Sequence, residues 1–242
     1  MLESLIEPIK TDSLKDVFVL RFEELILSGK ITIGQKLPSE RELAFQLGVS
    51  RPVVHEGLVE LAARGLVSLK PRIGATVNDY RKEGSITLLS SLIQYRNGKL
   101  EPELMESLLQ MRMLLEPAFV RFAAQNRTDD QVYEFYDILK QEEAANRSDV
   151  QKITDLDFDF HLLIALSSGN TVYPLLLNSF RSVYTNLSSQ FFKDPQVTAT
   201  VHRYHRSLIK AIESKNAKKA MSVMNKILAH GEEHLRLMIE EA

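Results

Sequence analysis

Apolar residues near the start of the chain recur every three or four positions, which predicts an amphipathic helix. Thr11, Asp12 or Ser13 caps this helix, and Ser28-Gly29 ends it. Its apolar positions are Leu14, Val17, Phe18, Phe22, Leu25 and Ile26.

Two more short helices follow. Ser39 and Glu42 match a capping box, in which each side chain bonds the other residue's backbone amide, and this helix stops at Leu47-Gly48. Ser50 caps a third helix that runs to about Arg64, where Gly65 ends it. The predicted buried face of the third helix is Val54, Leu58, Leu61 and Ala62.

A hairpin is predicted next, because residues 66–70 and 75–79 are β-like and residues 71–74 form the turn between them. The order of helix, helix, tight turn, helix and hairpin predicts a winged helix-turn-helix over residues 1–80.

Residues 81–242 have helical spacing throughout, which predicts an all-α antiparallel bundle. The fold class is therefore mainly α, with an N-terminal α+β winged domain. The helices predicted in this second part span about 85–96, 101–126, 128–146, 150–168, 171–192, 196–214 and 216–240.

Composition narrows the function classes. The chain has no cysteine, which excludes disulfide scaffolds, thiol catalysis and cysteine zinc sites. Its start does not resemble a signal peptide and no apolar run is long enough for a membrane span, so we expect a cytoplasmic protein with no membrane partner. The net charge is −2, but residues 30–82 contain nine Lys/Arg and five acidic residues. A basic segment on a more acidic body suits a DNA-binding module.

The start of the third helix carries the expected DNA contacts, because this end of a helix-turn-helix enters the major groove. Arg51 can contact a phosphate or a guanine edge, and Arg72 lies at the wing tip, where it can reach the minor groove. The predicted DNA-binding residues are Arg41, Ser50, Arg51, Pro52, Val53, His55, Arg72 and Gly74.

Asp157 and His161 are four residues apart on a predicted helix and so share one face. His205 and His230 lie on later helices. Converging Asp and His side chains can bind a divalent metal, and they can equally form a buried Asp–His hydrogen bond.

The run Leu37-Pro38-Ser39-Glu40-Arg41-Glu42-Leu43-Ala44, followed by Leu47-Gly48-Val49-Ser50-Arg51 and Gly65-Leu66-Val67, resembles the GntR family of bacterial transcription regulators. The resemblance implies that residues 10–80 bind operator DNA. This chain has His55 where the family usually has Arg, and Gly57 where it usually has Ala. One recognition helix covers few base pairs, so we expect a homodimer on a palindromic operator.

Residues 85–240 resemble the ligand-sensing C-terminal domain, of FCD type, found in the FadR branch of this family. Many such domains hold a metal of the zinc or nickel class with one Asp and three His, which implies Asp157, His161 and His205 as ligands. The fourth ligand position falls on Ile227, which cannot ligate, and His230 lies one turn further on.

Other residues resemble fatty-acid-responsive members of that branch, among them Ser168-Gly169-Asn170, Tyr184-Thr185 and Arg203-Tyr204-His205. That resemblance implies a long-chain acyl-CoA effector whose binding releases DNA. A small carboxylate held by Arg112 is the second candidate. The predicted effector pocket is Arg112, Asp157, His161, Asn178, Tyr184, His205 and His230.

The leading function is thus a ligand-responsive transcription regulator, which we expect to be a repressor, and not an enzyme. The alternatives are a metal-dependent helical-bundle enzyme or metal sensor, and a winged helix used only for protein contact. A di-iron bundle needs paired Glu-x-x-His motifs, and the last helix has Gly231 where Glu is required before His234.

Overall fold

The computed structural model describes residues 13–95 and 102–240 of the chain. Residues 13–95 form one compact unit and residues 102–240 form a second. The first combines helices with a two-stranded sheet and the second is helical, which confirms the mainly α fold. No helix among these residues is long and apolar enough to cross a membrane.

The first unit is a winged helix-turn-helix, as predicted, with two further helices after the wing. Antiparallel pairing places Val67 opposite Val77 and Lys70 opposite Gly74. The elements are α1 (Leu14–Leu27), α2 (Glu40–Leu47), α3 (Arg51–Ala63), β1 (Val67–Lys70), β2 (Gly74–Val77), α4 (Tyr80–Glu83) and α5 (Leu88–Tyr95). Helices α4 and α5 also belong to this unit. The domain boundary at residue 80 stays a prediction.

Local signals set the ends of these elements. The Ser13 hydroxyl accepts a bond from the amide of Asp16, and both bonds of the Ser39–Glu42 capping box are present. Gly48 ends α2 in the left-handed conformation, with φ of 66°, which lets the chain turn tightly into α3. Arg72 has φ of 65° at the tip of the wing.

The buried face of α1 differs from the predicted one. Leu14 and Val17 are 59% and 47% exposed, whereas Phe18 and Phe22 are buried. Glu23 also lies on the buried face, at 2% exposure, because the Arg64 guanidinium donates to its carboxylate over 2.5 Å. Spacing along α1 could not predict this, since the cation is 41 residues away in the sequence.

Ser50 occupies the N-cap position of α3, but its side chain makes no capping bond. A capping hydroxyl accepts from the amide of the second or third helical residue. Pro52 is the second residue of α3 and has no N–H to donate. The Ser50 side chain is left exposed at the start of the helix.

The second unit packs helices around one apolar core. The long α6 contacts α8, α11 and α12, and α7 contacts α8 and α11. Its helices are α6 (Pro102–Asn126), α7 (Asp129–Ala144), α8 (Val150–Ser167), α9 (Val172–Ser179), α10 (Arg181–Phe191), α11 (Pro195–Glu213) and α12 (Ala217–Glu240).

One helix predicted over residues 171–192 is two helices in the structure. Phe180 joins α9 to α10 with φ of −96° and ψ of 4°, and its amide bonds to the carbonyls of Leu176 and Leu177. Neither glycine nor proline marks this break, so the sequence gives no stop signal at this point.

Candidate functional site

The first candidate site is an open cleft between the start of α3, the start of α2 and the wing. It is lined by five of the predicted DNA-binding residues, which are Arg41, Arg51, His55, Arg72 and Gly74. Ser50, Pro52 and Val53 lie at the start of α3, with Ser50 and Pro52 exposed and Val53 half-buried. The fold therefore brings residues from three elements to one surface.

The cleft is lined by several cations and by two carboxylates, Glu40 and Glu42. Arg41, Arg51 and Arg72 are exposed, and within the described part of the chain none of them forms an ion pair. Lys36 and Lys70 line the same cleft and were missed by the sequence reasoning. The position of Lys70 beside the wing could have been predicted, because Lys70 directly precedes the wing turn.

The His55 side chain contacts Glu40 of α2. Its Nδ1 lies 2.8 Å from Oε1 of Glu40, the first residue of α2. The two residues are 15 positions apart, so only the packing of α2 against α3 brings them together.

Gly57 lets α1 approach α3 closely. A Cβ atom at this position would lie 2.3 Å from Cδ1 of the buried Phe18 ring. Phe18 stacks on Phe22 with ring centroids 4.4 Å apart, so a second ring limits its freedom to move.

The C-terminal end of α3 is tied to the segment after the wing. The amide of Ser85 donates to the carbonyl of Arg64 over 3.1 Å, and the Arg64 side chain donates to the Ser91 hydroxyl over 2.8 Å. A Cβ on Gly65 would lie 2.0 Å from the carbonyl oxygen of Glu83, so only glycine allows this approach. Helix α3 and the segment after the wing are thus packed directly against each other.

The second candidate site is a buried cluster in the helical unit. Asp157, His161 and His205 each offer a ligand atom, and these atoms lie within 4.8 Å of one another. Nε2 of His205 is 3.8 Å from Oδ1 of Asp157. Nε2 of His161 and Nε2 of His205 are buried, and neither has a hydrogen-bond partner within residues 13–95 and 102–240.

The Nδ1 atom of each of these two histidines faces a buried carboxylate. Nδ1 of His161 lies 2.5 Å from Oε2 of Glu116, and Nδ1 of His205 lies 2.9 Å from Oε1 of Glu142. A carboxylate only accepts hydrogen bonds, so the bond to Glu142 favours the His205 tautomer with hydrogen on Nδ1 and a free lone pair on Nε2. This arrangement, with a carboxylate behind each imidazole, is typical of metal-ligating histidines.

Electrostatics support the ionised form of Glu116. Burial alone would raise its pKa, but the charge of Arg112 and the contact with His161 outweigh burial and lower the pKa to about 2. Arg112 Nε donates to the Glu116 carboxylate over 2.6 Å, one helical turn away on α6. Burial lowers the pKa of His205, but the carboxylates of Glu142 and Asp157 reverse this and raise it.

Tyr184 and Ser188 complete the environment of Asp157. Both hydroxyls donate to Oδ2, over 2.9 Å and 3.3 Å, which leaves Oδ1 directed to the histidine side. Burial raises the pKa of Tyr184 well above its usual value, so its hydroxyl stays a donor. The Arg112 guanidinium lies over the Tyr184 ring, 4.5 Å from its centroid.

A small cavity of about 30 Å³ adjoins this cluster, lined by Arg112, Asp157, His161, Ile227 and His230 among others. Ile227 stands at the fourth ligand position that the resemblance implies, and it lines this cavity with an apolar side chain. Nε2 of His230 is buried and has no hydrogen-bond partner in the part of the chain that the structure describes.

An apolar cavity of about 30 Å³ lies between α6, α9 and α10. Arg112 and Tyr184 line it together with Phe180, the residue that joins α9 to α10. Asn178, predicted for the effector pocket, is exposed on α9 and lines neither cavity.

Glu116 and Glu142 are not among the predicted site residues, although the sequence around Glu142 contains a signal. Val132, Phe135, Leu139 and Glu142 follow helical spacing on the buried face of α7. A carboxylate in such a stripe needs a buried partner, because an unpaired buried charge is costly.

Comparisons with known proteins match both units. The model of the bacterial regulatory proteins of the gntR family matches residues 17–77, and the model of the FadR C-terminal domain matches residues 78–238. The HTH-type transcriptional regulator Mce2R of Mycobacterium tuberculosis is 35% identical over 166 residues, which cover 67% of this chain and 68% of that protein.

The fatty acid metabolism regulator protein of Shewanella halifaxensis is 28% identical over 191 residues, covering 79% of this chain and 77% of that protein. Among solved structures, Lar, which controls expression of the Listeria monocytogenes agr system, matches with a TM-score of 0.64 and 17% identity. It covers 94% of this chain and 99% of its own, and at that identity it supports the fold alone. These relatives are regulators, so the enzyme alternative is not favoured.

Proposed function

This chain belongs to the GntR family of bacterial regulatory proteins and carries a FadR C-terminal domain, and from this premise we propose that a small effector controls its binding to a palindromic operator as a homodimer in the cytoplasm. It is a transcription regulator and not an enzyme. The observation that carries the proposal is the group of unpaired arginines, Arg41, Arg51 and Arg72, around the start of α3.

The dimer follows from the size of the DNA surface. One recognition helix contacts only a few base pairs, and a two-fold dimer doubles the contacts on a palindrome. The free Ser50 hydroxyl and the lysines at positions 36 and 70 add phosphate contacts beside Arg51.

We infer that Asp157, His161 and His205 hold one divalent ion of the zinc or nickel class. The supporting observation is that both Nε2 atoms are buried with no hydrogen-bond partner among the described residues, while a carboxylate lies beside each Nδ1 atom. His230 lines the adjoining cavity and is our candidate for the ligand that Ile227 cannot supply. A metal with three or four protein ligands offers a remaining position to an effector carboxylate.

The effector can enter the bundle only if helices move apart. A cavity of about 30 Å³ holds one or two waters, whereas ligand pockets usually measure roughly 300–1,000 Å³. An acyl chain therefore needs the apolar cavity to open, and the joint at Phe180 allows α9 to move away from α6. Arg112 lines both cavities, so it can hold the polar group of an effector whose apolar part lies between α6 and α10.

This requirement explains how binding can act as a switch. A ligand shifts a conformational equilibrium only if it binds one conformation better. An effector that fits only the opened bundle satisfies this condition. Long-chain acyl-CoA is the first candidate and a small carboxylate held by Arg112 is the second.

The test is operator affinity of the full-length protein, measured by fluorescence anisotropy on a duplex selected from a random library. We expect oleoyl-CoA to change the affinity by roughly 5- to 150-fold, the range of ordinary allosteric coupling. Coenzyme A without the acyl chain is the matched control and should have no effect. If oleoyl-CoA, oleate and small dicarboxylates all leave the affinity unchanged, effector control through this bundle is wrong.

A further inference from the structure

The Glu40–His55 pair lies on the surface that faces DNA. His55 is one helical turn after Arg51, so both side chains share a face of α3. Val54 and Leu58 are buried in the domain core, and Leu58 also lines the cleft that contains Arg51. The His55 and Glu40 side chains are 59% and 35% exposed, and both line the cleft that contains Arg51.

The orientation of the His55 ring is fixed from α2. The capping box of Ser39 and Glu42 orders the first turn of α2, which carries Glu40. Oε1 of Glu40 then lies 2.8 Å from Nδ1 of His55. Exposed ion pairs contribute little to stability, so the main consequence of this contact is the direction of the ring.

The contact also determines what the other ring nitrogen can do. A carboxylate has no hydrogen to donate, so Nδ1 of His55 carries the hydrogen in this bond. In the neutral imidazole, Nε2 is then an acceptor. In the major groove an acceptor pairs with a donor, and the donors there are the N4 amino group of cytosine and the N6 amino group of adenine.

We propose that Glu40 and His55 form a base-recognition unit in which Nε2 of His55 accepts a hydrogen bond from a cytosine or adenine amino group. Glu40 is the positioning residue, and His55 is the residue that contacts the base. This inference rests on the proposed DNA-binding function and specifies part of its operator.

The experiment compares the operators that full-length variants select from a randomised duplex library. At one base pair of each half-site, we expect the wild type to prefer one of the four base pairs roughly five- to tenfold, as fits one hydrogen bond from the amino group of its cytosine or adenine. His55→Ala should lose the preference at that base pair and keep the others. Glu40→Gln should relax it, because a carboxamide can bond to either tautomer.

A matched control is Glu56→Gln, which removes one exposed negative charge from α3 without touching the pair. It should select the wild-type operator. A second measurement uses base analogues that lack the amino group, 2-pyrimidinone for cytosine or purine for adenine. The analogue should weaken wild-type binding five- to tenfold and have no effect on His55→Ala.

Three results would overturn the inference. His55→Ala selecting the wild-type sequence would show that the ring recognises no base. An even loss of affinity across all sequences would assign His55 to a phosphate, and wild-type binding that the amino-lacking analogues leave unchanged would contradict an acceptor at Nε2. If the wild type selects no sequence at all, the proposed function itself fails, which is a separate outcome.

Discussion

Replacing Gly57 by alanine tests how α1 and α3 pack behind the recognition surface. In an exposed helix interior this change stabilises by roughly 1 kcal/mol, because glycine is a poor helix former. Here the new Cβ would lie 2.3 Å from Cδ1 and 2.8 Å from Cε1 of Phe18. The Phe18 ring is 4% exposed and stacked on Phe22, so the overlap requires a shift in the core.

Overpacking of a core by one methyl group costs about 1–3 kcal/mol. Combined with the propensity gain of roughly 1 kcal/mol, this predicts a net destabilisation of up to about 2 kcal/mol for Gly57→Ala. In a Phe18→Leu background the ring is gone, so the same Gly57→Ala step should be neutral or stabilising. The sign of the effect therefore depends on Phe18.

The assay is native-state hydrogen exchange followed by mass spectrometry, which reports the opening free energy of peptides from α1 and α3 separately from those of the bundle. Gly231→Ala is a matched control, because Gly231 lies within α12 and a Cβ there meets nothing within 4 Å. It should stabilise α12 by up to about 1 kcal/mol. A stabilised α3 in Gly57→Ala would refute the packing described for Phe18.

Native mass spectrometry of the protein as purified should show one divalent ion per chain, which His161→Ala should lose and the control His202→Ala should keep. A flexible Gly/Ser insertion after Lys82 should leave operator binding intact and abolish the effector response, because it separates the wing from the segment bonded to Arg64. Arg64→Met should destabilise the winged domain by about 3–5 kcal/mol in hydrogen exchange, because it leaves the buried Glu23 carboxylate without its cation.

Each of these has an outcome that contradicts it. An ion retained by His161→Ala, or none in the wild type, would remove the metal centre. An effector response that survives the insertion would rule out coupling through this segment. Glu60→Gln removes a more exposed partner of the same guanidinium and should cost under about 1 kcal/mol, so equal losses in Arg64→Met and Glu60→Gln would contradict the role given to Glu23.

The winged domain could be predicted from the sequence because its signals are local. The Ser39–Glu42 capping box and the turn before Gly74 lie within a few residues of the structures that they specify. The spacing of Asp157 and His161 placed them on one face of α8 for the same reason.

The remaining features depend on contacts between residues far apart in the chain. Glu23 lies on a buried face because of Arg64, and His55 is oriented by Glu40. The break at Phe180 has no glycine or proline to mark it. Helical periodicity describes one element at a time, so it cannot identify partners that packing brings together.

The most direct test of the central claim is the salt dependence of operator binding by the wild type, Arg51→Ala and Lys218→Ala, where Lys218 is an exposed cation of the second unit. Wild-type log K should fall steeply with log salt concentration, because phosphate contacts release counterions. Arg51→Ala should weaken specific binding by about 1–3 kcal/mol, and Lys218→Ala should match the wild type. Equal affinity and equal slope for the wild type and Arg51→Ala would contradict DNA recognition by the start of α3.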